Sequence, residues 1–142
     1  MIDARLHEAV AHIGRHYGGR LLAVALFGSR ARHRPRAESD WDLLLVVDDG
    51  ERVRRTLYRE WEGVVAPDVE HILPGISPHF ARLPADDTAA SSLWLEVATG
   101  HAILSDPTGR LSAWLARVQE LIDAGRFQRR VVHGLPYWLS AV

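Results

Sequence analysis

The sequence has 142 residues, 47% of them hydrophobic, which suits one compact domain built on a single core. Its formal net charge of −1 offers no general attraction for nucleic acid, so binding there would need a local arginine patch, and long polymer substrates are disfavoured. All 17 basic residues are Arg and there is no Cys, which excludes thiol catalysis, disulfides, thiolate zinc sites, a Walker-type lysine and a lysine Schiff base.

Taken in order, residues Ile2 to Tyr17 place Leu6, Ala9, Val10 and Ile13 at helical spacing before Gly18-Gly19 stops the pattern, so a first helix is expected to pack on a sheet. His7, His12 and His16 lie near one another on that helix. No neighbouring carboxylate or Cys completes a metal set, and they are expected to form a solvated polar face. Leu21 to Phe27, LLAVALF, is an apolar run of strand length ending at Gly28-Ser29, and LLLVV is a second run beginning just after Asp42. Between them lie Arg30, Arg32, Arg34 and Arg36, with Pro35 ending any short helix that starts at Ser29.

Two features of this stretch carry chemistry. A strand sends residues i and i+2 to one face, so Asp40 and Asp42 are expected to point the same way, and two adjacent carboxylates suit a hard divalent cation such as magnesium. Gly28-Ser29, at a turn after a strand, offers backbone N–H groups to an anion. A phosphate-holding turn beside a metal-holding carboxylate pair points to phosphoryl or nucleotidyl transfer.

Further along, Val53, Leu57 and Trp61 form a helical stripe within Glu51 to Glu62, with Gly63 as its expected cap and a third strand expected near Pro67 to Leu73. On that strand Asp68 and Glu70, two apart, would share a face. After a loop at Pro74-Gly75 and Pro78, Asp86 or Asp87 can cap a helix through Thr99, His101 to Ser105 can form a short edge strand, and a helix is expected from Pro107 to about Ala124. The tail from Arg126 to Val142 is too apolar to stay in water; it is expected to dock on its own core, with a dimer or partner interface as the alternative.

Gly28, Ser29, Arg32, Ser39, Asp40 and Asp42, in G-S-R-A-R followed by S-D-W-D-L-L-L-V-V, resemble the signature of the nucleotidyltransferase superfamily that includes DNA polymerase beta, and most closely its minimal members. His33 and Trp41 depart from the usual Gly and aliphatic residue. The resemblance implies an α+β nucleotidyltransferase fold, a small mixed sheet backed by helices, and covers a motif-bearing core over about residues 21–105; the rest of the single domain, over about 107–142, is expected from its periodicity alone to be a C-terminal helical segment. It implies transfer of a nucleoside monophosphate, AMP for an ATP substrate, to a hydroxyl. In that scheme Gly28, Ser29, Arg32 and Ser39 serve the nucleotide, Asp40 and Asp42 hold Mg2+ in a two-metal site, and a third acid on the third strand, Glu70 or alternatively Asp68, completes the metal site and activates the acceptor. The implied acceptor is a protein, as in antitoxins that modify a small helical HEPN-class toxin. The alternatives are a weakly active or inactive partner-binding module and an aminoglycoside-type transferase, the latter disfavoured by the short chain. No apolar leader opens the chain and no run approaches membrane-spanning length, so a cytoplasmic protein is expected.

Overall fold

The computed structural model describes residues 3–32, 40–86 and 90–140. Helix α1, Ala4–Tyr17, begins where the Asp3 carboxylate accepts from the Arg5 backbone N–H at 2.8 Å. Strands β1, Leu21–Phe27, and β2, Trp41–Val47, follow as the two apolar runs predicted, and they pair antiparallel. Both are buried on both faces. Val24, Leu26, Leu43, Leu45 and Val47 meet α1 on one side, while Ala23, Ala25, Phe27, Leu44 and Val46 meet the C-terminal helices on the other. Strands sandwiched in this way read as continuous apolar runs rather than alternating ones, which is why they are visible in the sequence.

The region after β2 differs from expectation. Helix α2, Arg55–Glu60, does not stop at Gly63 but continues through a widened turn, Trp61–Val65, into a short helix α3, Ala66–Val69. Pro67, near the start of α3, has no N–H to give the carbonyl four residues back, and a locally widened helix accommodates that loss without ending. Leu57, Trp61, Val65, Val69 and Leu73 are all buried against the sheet, whereas Val53 lies before the helix and is exposed.

The third strand therefore falls later than predicted. β3 is Ile76–Arg82 and runs parallel to β2, which completes a right-sized β-helix-β crossover. Helix α4, Ser92–Thr99, then leads into edge strand β4, His101–Ser105, paired antiparallel with β1. Asp86 lies before α4 and Asp87 outside the described residues. The described sheet has the order β3-β2-β1-β4, a mixed sheet with helices on both faces. This is the α+β architecture the sequence implied.

Helix α5, Arg110–Asp123, is anchored at its start by Asp106, whose carboxylate accepts from the Leu111 and Ser112 N–H groups at 3.2 and 2.8 Å. Beyond it the expected helical segment is instead a β-hairpin, β5, Phe127–Val132, and β6, Leu135–Ser140. The two-residue connection places His133 and Gly134 at φ 52° and 77°, the left-handed conformation that tight hairpin turns require. Phe127 and Trp138 pack on the α4–α5 core while Val131, Val132, Leu135 and Leu139 remain exposed, so the tail docks with one face only. Among the described residues no helix is long and apolar enough to cross a membrane.

Candidate functional site

The site forms where β1 ends beside the start of β2. Gly28 has φ 77°, and a Cβ added to it would collide with the Asp42 carboxylate oxygen and lie 3.2 Å from Asp42 Cγ. Only a residue without a side chain lets the turn pass this close to the acid. The Gly28 carbonyl accepts from the N–H groups of Ala31 and Arg32, both at 3.2 Å, which winds the following residues into a tight turn. Asp42 is half-buried and Asp40 exposed. Asp40 Oδ1 sits near the other flanking glycine, 3.9 Å from the position of a Cβ on Gly75, and the Gly75 carbonyl accepts from Trp41 N–H at 2.8 Å. The Arg30 guanidinium stacks 4.1 Å above the Trp41 ring, so the unusual aromatic residue between the two acids serves as a platform for a turn arginine. Ser39, Arg34 and Arg36 lie outside the described residues.

Neither candidate for the third acid lies on a strand. Asp68 is in α3 and Glu70 is the exposed residue that follows it, in the helical layer that covers the opposite sheet face from Asp42. Asp68 Oδ2 instead accepts from His12 Nδ1 at 3.1 Å and His16 Nε2 at 2.9 Å, which clasps α3 to α1. The N–H groups of His16 and His12 hold the Asp68 carboxyl below its ordinary pKa of 3.8. Two histidines expected to form a solvated face are thus bound to a carboxylate 56 and 52 residues further along the chain, a partner no local spacing could reveal.

The side chain that meets Asp42 from β3 is His79. Its Nε2 lies 3.2 Å from Asp42 Oδ1, and its ring packs edge-on against Phe27 at 4.9 Å between centroids. Register explains the meeting: His79 pairs with Leu44, which shares a face with Asp42. Among the described residues no three His, Asp or Glu side chains converge into a set able to hold a metal ion. Asp40 and Asp42, the carboxylates expected to hold a cation, flank Trp41 at the start of β2, and two carboxylates would suit an ion that keeps water and substrate phosphate in its remaining positions.

Beside the turn opens a cleft of about 640 Å³ lined by Ser29, Ala31, Arg32, Thr99, Gly100 and Arg129. Arg32 lies across the end of α4, donating through one terminal nitrogen to Glu96 Oε2 at 2.6 Å and Thr99 Oγ1 at 2.9 Å. Glu96 Oε1 accepts from Arg129 Nε and from Trp138 Nε1, each at 3.2 Å. Burial alone would raise the Glu96 pKa, but the hydrogen bond from Arg32 and the charge of Arg129 outweigh it and bring the carboxyl below its ordinary 4.5. Arg129, Glu96 and Trp138 were not singled out as site residues from the sequence, since nothing local marks a glutamate inside the apolar run of α4 as the partner of two distant arginines.

Residues 8–74 match the family described as polymerase beta, nucleotidyltransferase. No curated protein matches the sequence significantly. Among solved structures, the fold is similar to that of a toxin–antitoxin structure with AMP-PNP, at TM-score 0.55 and 17% identity over 84% of this chain and 89% of that one. It is also similar to a Shewanella oneidensis protein, at TM-score 0.52 and 13% identity over 88% and 90%. A third likeness is to a complex of a tri-AMPylated Shewanella oneidensis HEPN toxin with its MNT antitoxin, at TM-score 0.50 and 16% identity over 84% and 86%. At these identities the likeness speaks for the fold.

Proposed function

We propose that the chain is a polymerase beta-like nucleotidyltransferase that transfers a nucleoside monophosphate, AMP when ATP is the substrate, to a hydroxyl on a protein partner of the HEPN class. The acceptor oxygen attacks the α-phosphorus as the bond to the bridging oxygen of the β-phosphate breaks. Pyrophosphate leaves with the electron pair and the hydroxyl proton passes to solvent. The observation that supports this reading is the close approach of Gly28 to Asp42, with Ser29 of the same turn lining the arginine-bearing cleft; in this reading the turn holds an anion and the acid a cation.

In this reading the N–H groups that follow Gly28 and the Ser29 hydroxyl bind the terminal phosphates, and Asp40 and Asp42 hold the magnesium. When bound, that ion supplies charge neutralisation for the triphosphate and the departing pyrophosphate. The protein's remaining task is positioning, because phosphoryl transfer through a loose transition state depends mainly on alignment and fixed charge. His79 contributes by fixing the Asp42 carboxylate through the 3.2 Å hydrogen bond.

Calorimetric titration of ATP in the presence of Mg2+ tests the nucleotide reading. Binding is expected in the wild-type protein and a loss of at least about tenfold in affinity in the Asp40→Asn, Asp42→Asn double variant; equal affinity in the two refutes it. A second reading, a nucleotide- and partner-binding module with weak transfer activity, is favoured by the presence of His79 rather than a carboxylate at the β3 position that meets Asp42. Incubating the domain with labelled ATP and a co-purified partner separates them: Asp42-dependent label on the partner supports the transferase, and stable binding of both without label supports the module.

A further inference from the structure

We infer that the C-terminal hairpin completes the nucleotide site. Arg129 from β5 and Arg32 from the turn clamp the terminal phosphates, and Glu96 acts as the positioning residue for both. This rests on the nucleotide reading above and adds to it two residues, Glu96 and Arg129, outside the segment, 8–74, that matches the family.

The argument begins from charge. Glu96 is one carboxylate shared by two guanidiniums, Arg32 through Oε2 at 2.6 Å and Arg129 through Oε1 at 3.2 Å. The trio carries one surplus positive charge, and both arginine side chains are only about one-third exposed, at 31% and 34%. Glu96 balances only one of the two charges, and in a partly desolvated place a second anion reaching the pair would balance the other. The cleft they line is where such an anion would sit. Its volume of about 640 Å³ is of the size small-molecule sites have, and Ser29 from the phosphate-binding turn lines the same cleft.

The hydrogen-bond geometry leaves the arginines able to bind it. Arg129 reaches Glu96 through Nε, and among the described residues no bond is made by its two terminal nitrogens. Arg32 makes its bonds through a single terminal nitrogen. Gly100 permits this arrangement, since a Cβ there would stand 2.8 Å from Arg32 Cγ and push the side chain off the end of α4. Trp138, opposite Arg129 in the hairpin register, donates to the same Glu96 oxygen and so fixes the hairpin to the carboxylate that orients the clamp. A two-fork clamp of this kind matches several phosphate oxygens at once. It should therefore distinguish a triphosphate from a monophosphate.

The test is calorimetric titration of the full chain with ATP and, separately, AMP, both with Mg2+, for the wild type, Arg129→Gln, Arg129→Lys and Glu96→Gln. Arg129→Gln is expected to weaken ATP binding about tenfold or more while leaving AMP binding nearly unchanged. Arg129→Lys, which keeps the charge but not the fork, is expected to recover part of the ATP preference, and Glu96→Gln to reduce it by loosening both arms. A role confined to holding the hairpin would lower ATP and AMP affinity together, and that result overturns the inference. So does an unchanged ratio of ATP to AMP affinity in Arg129→Gln. If Asp42→Asn leaves ATP binding intact while Arg129→Gln weakens it, the metal assignment fails and the clamp stands; a wild-type chain that binds neither nucleotide overturns both.

Discussion

Gly28→Ala isolates the contact on which the site reading depends, because a matched control exists in the same molecule. Gly28 and Gly75 have nearly the same backbone, φ 77° and 82°, so an alanine at either pays the same left-handed strain, roughly 1–2 kcal/mol. What a new Cβ would meet differs. At Gly75 the nearest atom is Asp40 Oδ1 at 3.9 Å, an ordinary contact. At Gly28 the methyl would overlap the Asp42 carboxylate, with Cγ at 3.2 Å and Cβ at 3.4 Å. The acid must rotate away and give up the 3.2 Å bond to His79. Urea unfolding should therefore show a loss of about 1–2 kcal/mol for Gly75→Ala and roughly 1 kcal/mol more for Gly28→Ala, which also gives up the Asp42–His79 bond, with unchanged m-values in both. ATP titration with Mg2+ should separate them: Gly75→Ala stays near wild type, and Gly28→Ala falls by about tenfold or more, the effect of displacing one ion-holding carboxylate. Equal binding losses in the two variants, or normal binding in Gly28→Ala, would refute the claim that the close passage of the turn positions Asp42.

Other consequences are open to measurement. The Tyr17 hydroxyl is buried with no hydrogen-bond partner among the described residues, and burial, with Glu60 nearby, pushes its pKa up, so Tyr17→Phe should be neutral or stabilising by about 1 kcal/mol in urea unfolding; a loss of 2 kcal/mol or more would reveal a hidden partner. Glu96→Ala leaves two arginines and the Trp138 N–H without their shared acceptor and should cost about 2 kcal/mol, with Trp138 fluorescence shifting to the red as the hairpin loosens. The Asp68 carboxyl is held below its ordinary value of 3.8 by His16 and His12, so its contribution to stability is present above pH 3.8 and is lost as the pH falls further through the lowered pKa. Asp68→Asn should remove that part of the acid-unfolding profile and leave ATP binding unchanged, and a binding defect would restore Asp68 as a site residue.

The parts of the fold that the sequence discloses are those whose signal is local and redundant. LLAVALF and LLLVV are apolar on both faces because both faces are covered, and Gly-Ser and Asp-x-Asp stand at their ends. β3 has no such signal. Its run, ISPHFAR, contains Pro78 and His79, tolerated because it is an edge strand, and only Phe80 and Ala81 are buried. The segment that resembled a strand, V-E-H-I-L-P, closes a helical layer instead, and the correct period was present. Leu57, Trp61, Val65, Val69 and Leu73 recur every fourth residue and are all buried, a run that Gly63 and Pro67 punctuate in the sequence and that a widened turn carries through.

The hairpin shows why the remainder of the site was hidden. Its turn carries a local signal that the helical expectation for this segment passed over, His-Gly between V-V and L-P-Y-W, a two-residue connection with a glycine where φ is positive. Its role carries no such signal, because that depends on three long-range contacts to one carboxylate: Arg32 from 64 residues before Glu96, Arg129 from 33 after it and Trp138 from 42 after it. A glutamate between Leu95 and Val97 scores locally as a polar residue on the open side of a helix. Only the packing of α4 between the turn and the hairpin turns it into a junction. The motif thus marks Gly28, Ser29 and Asp42 as the proposed site, whereas the residues that orient an arginine beside it come from elements outside the motif. A partner that grips the exposed face of the hairpin, at Leu135 and Leu139, would act on the cleft through Trp138 and Glu96. Removing the Trp138 indole N–H by Trp138→Phe should accordingly weaken ATP binding while leaving AMP binding unchanged, and an unaltered ATP affinity would show that the hairpin and the cleft are not coupled through Glu96.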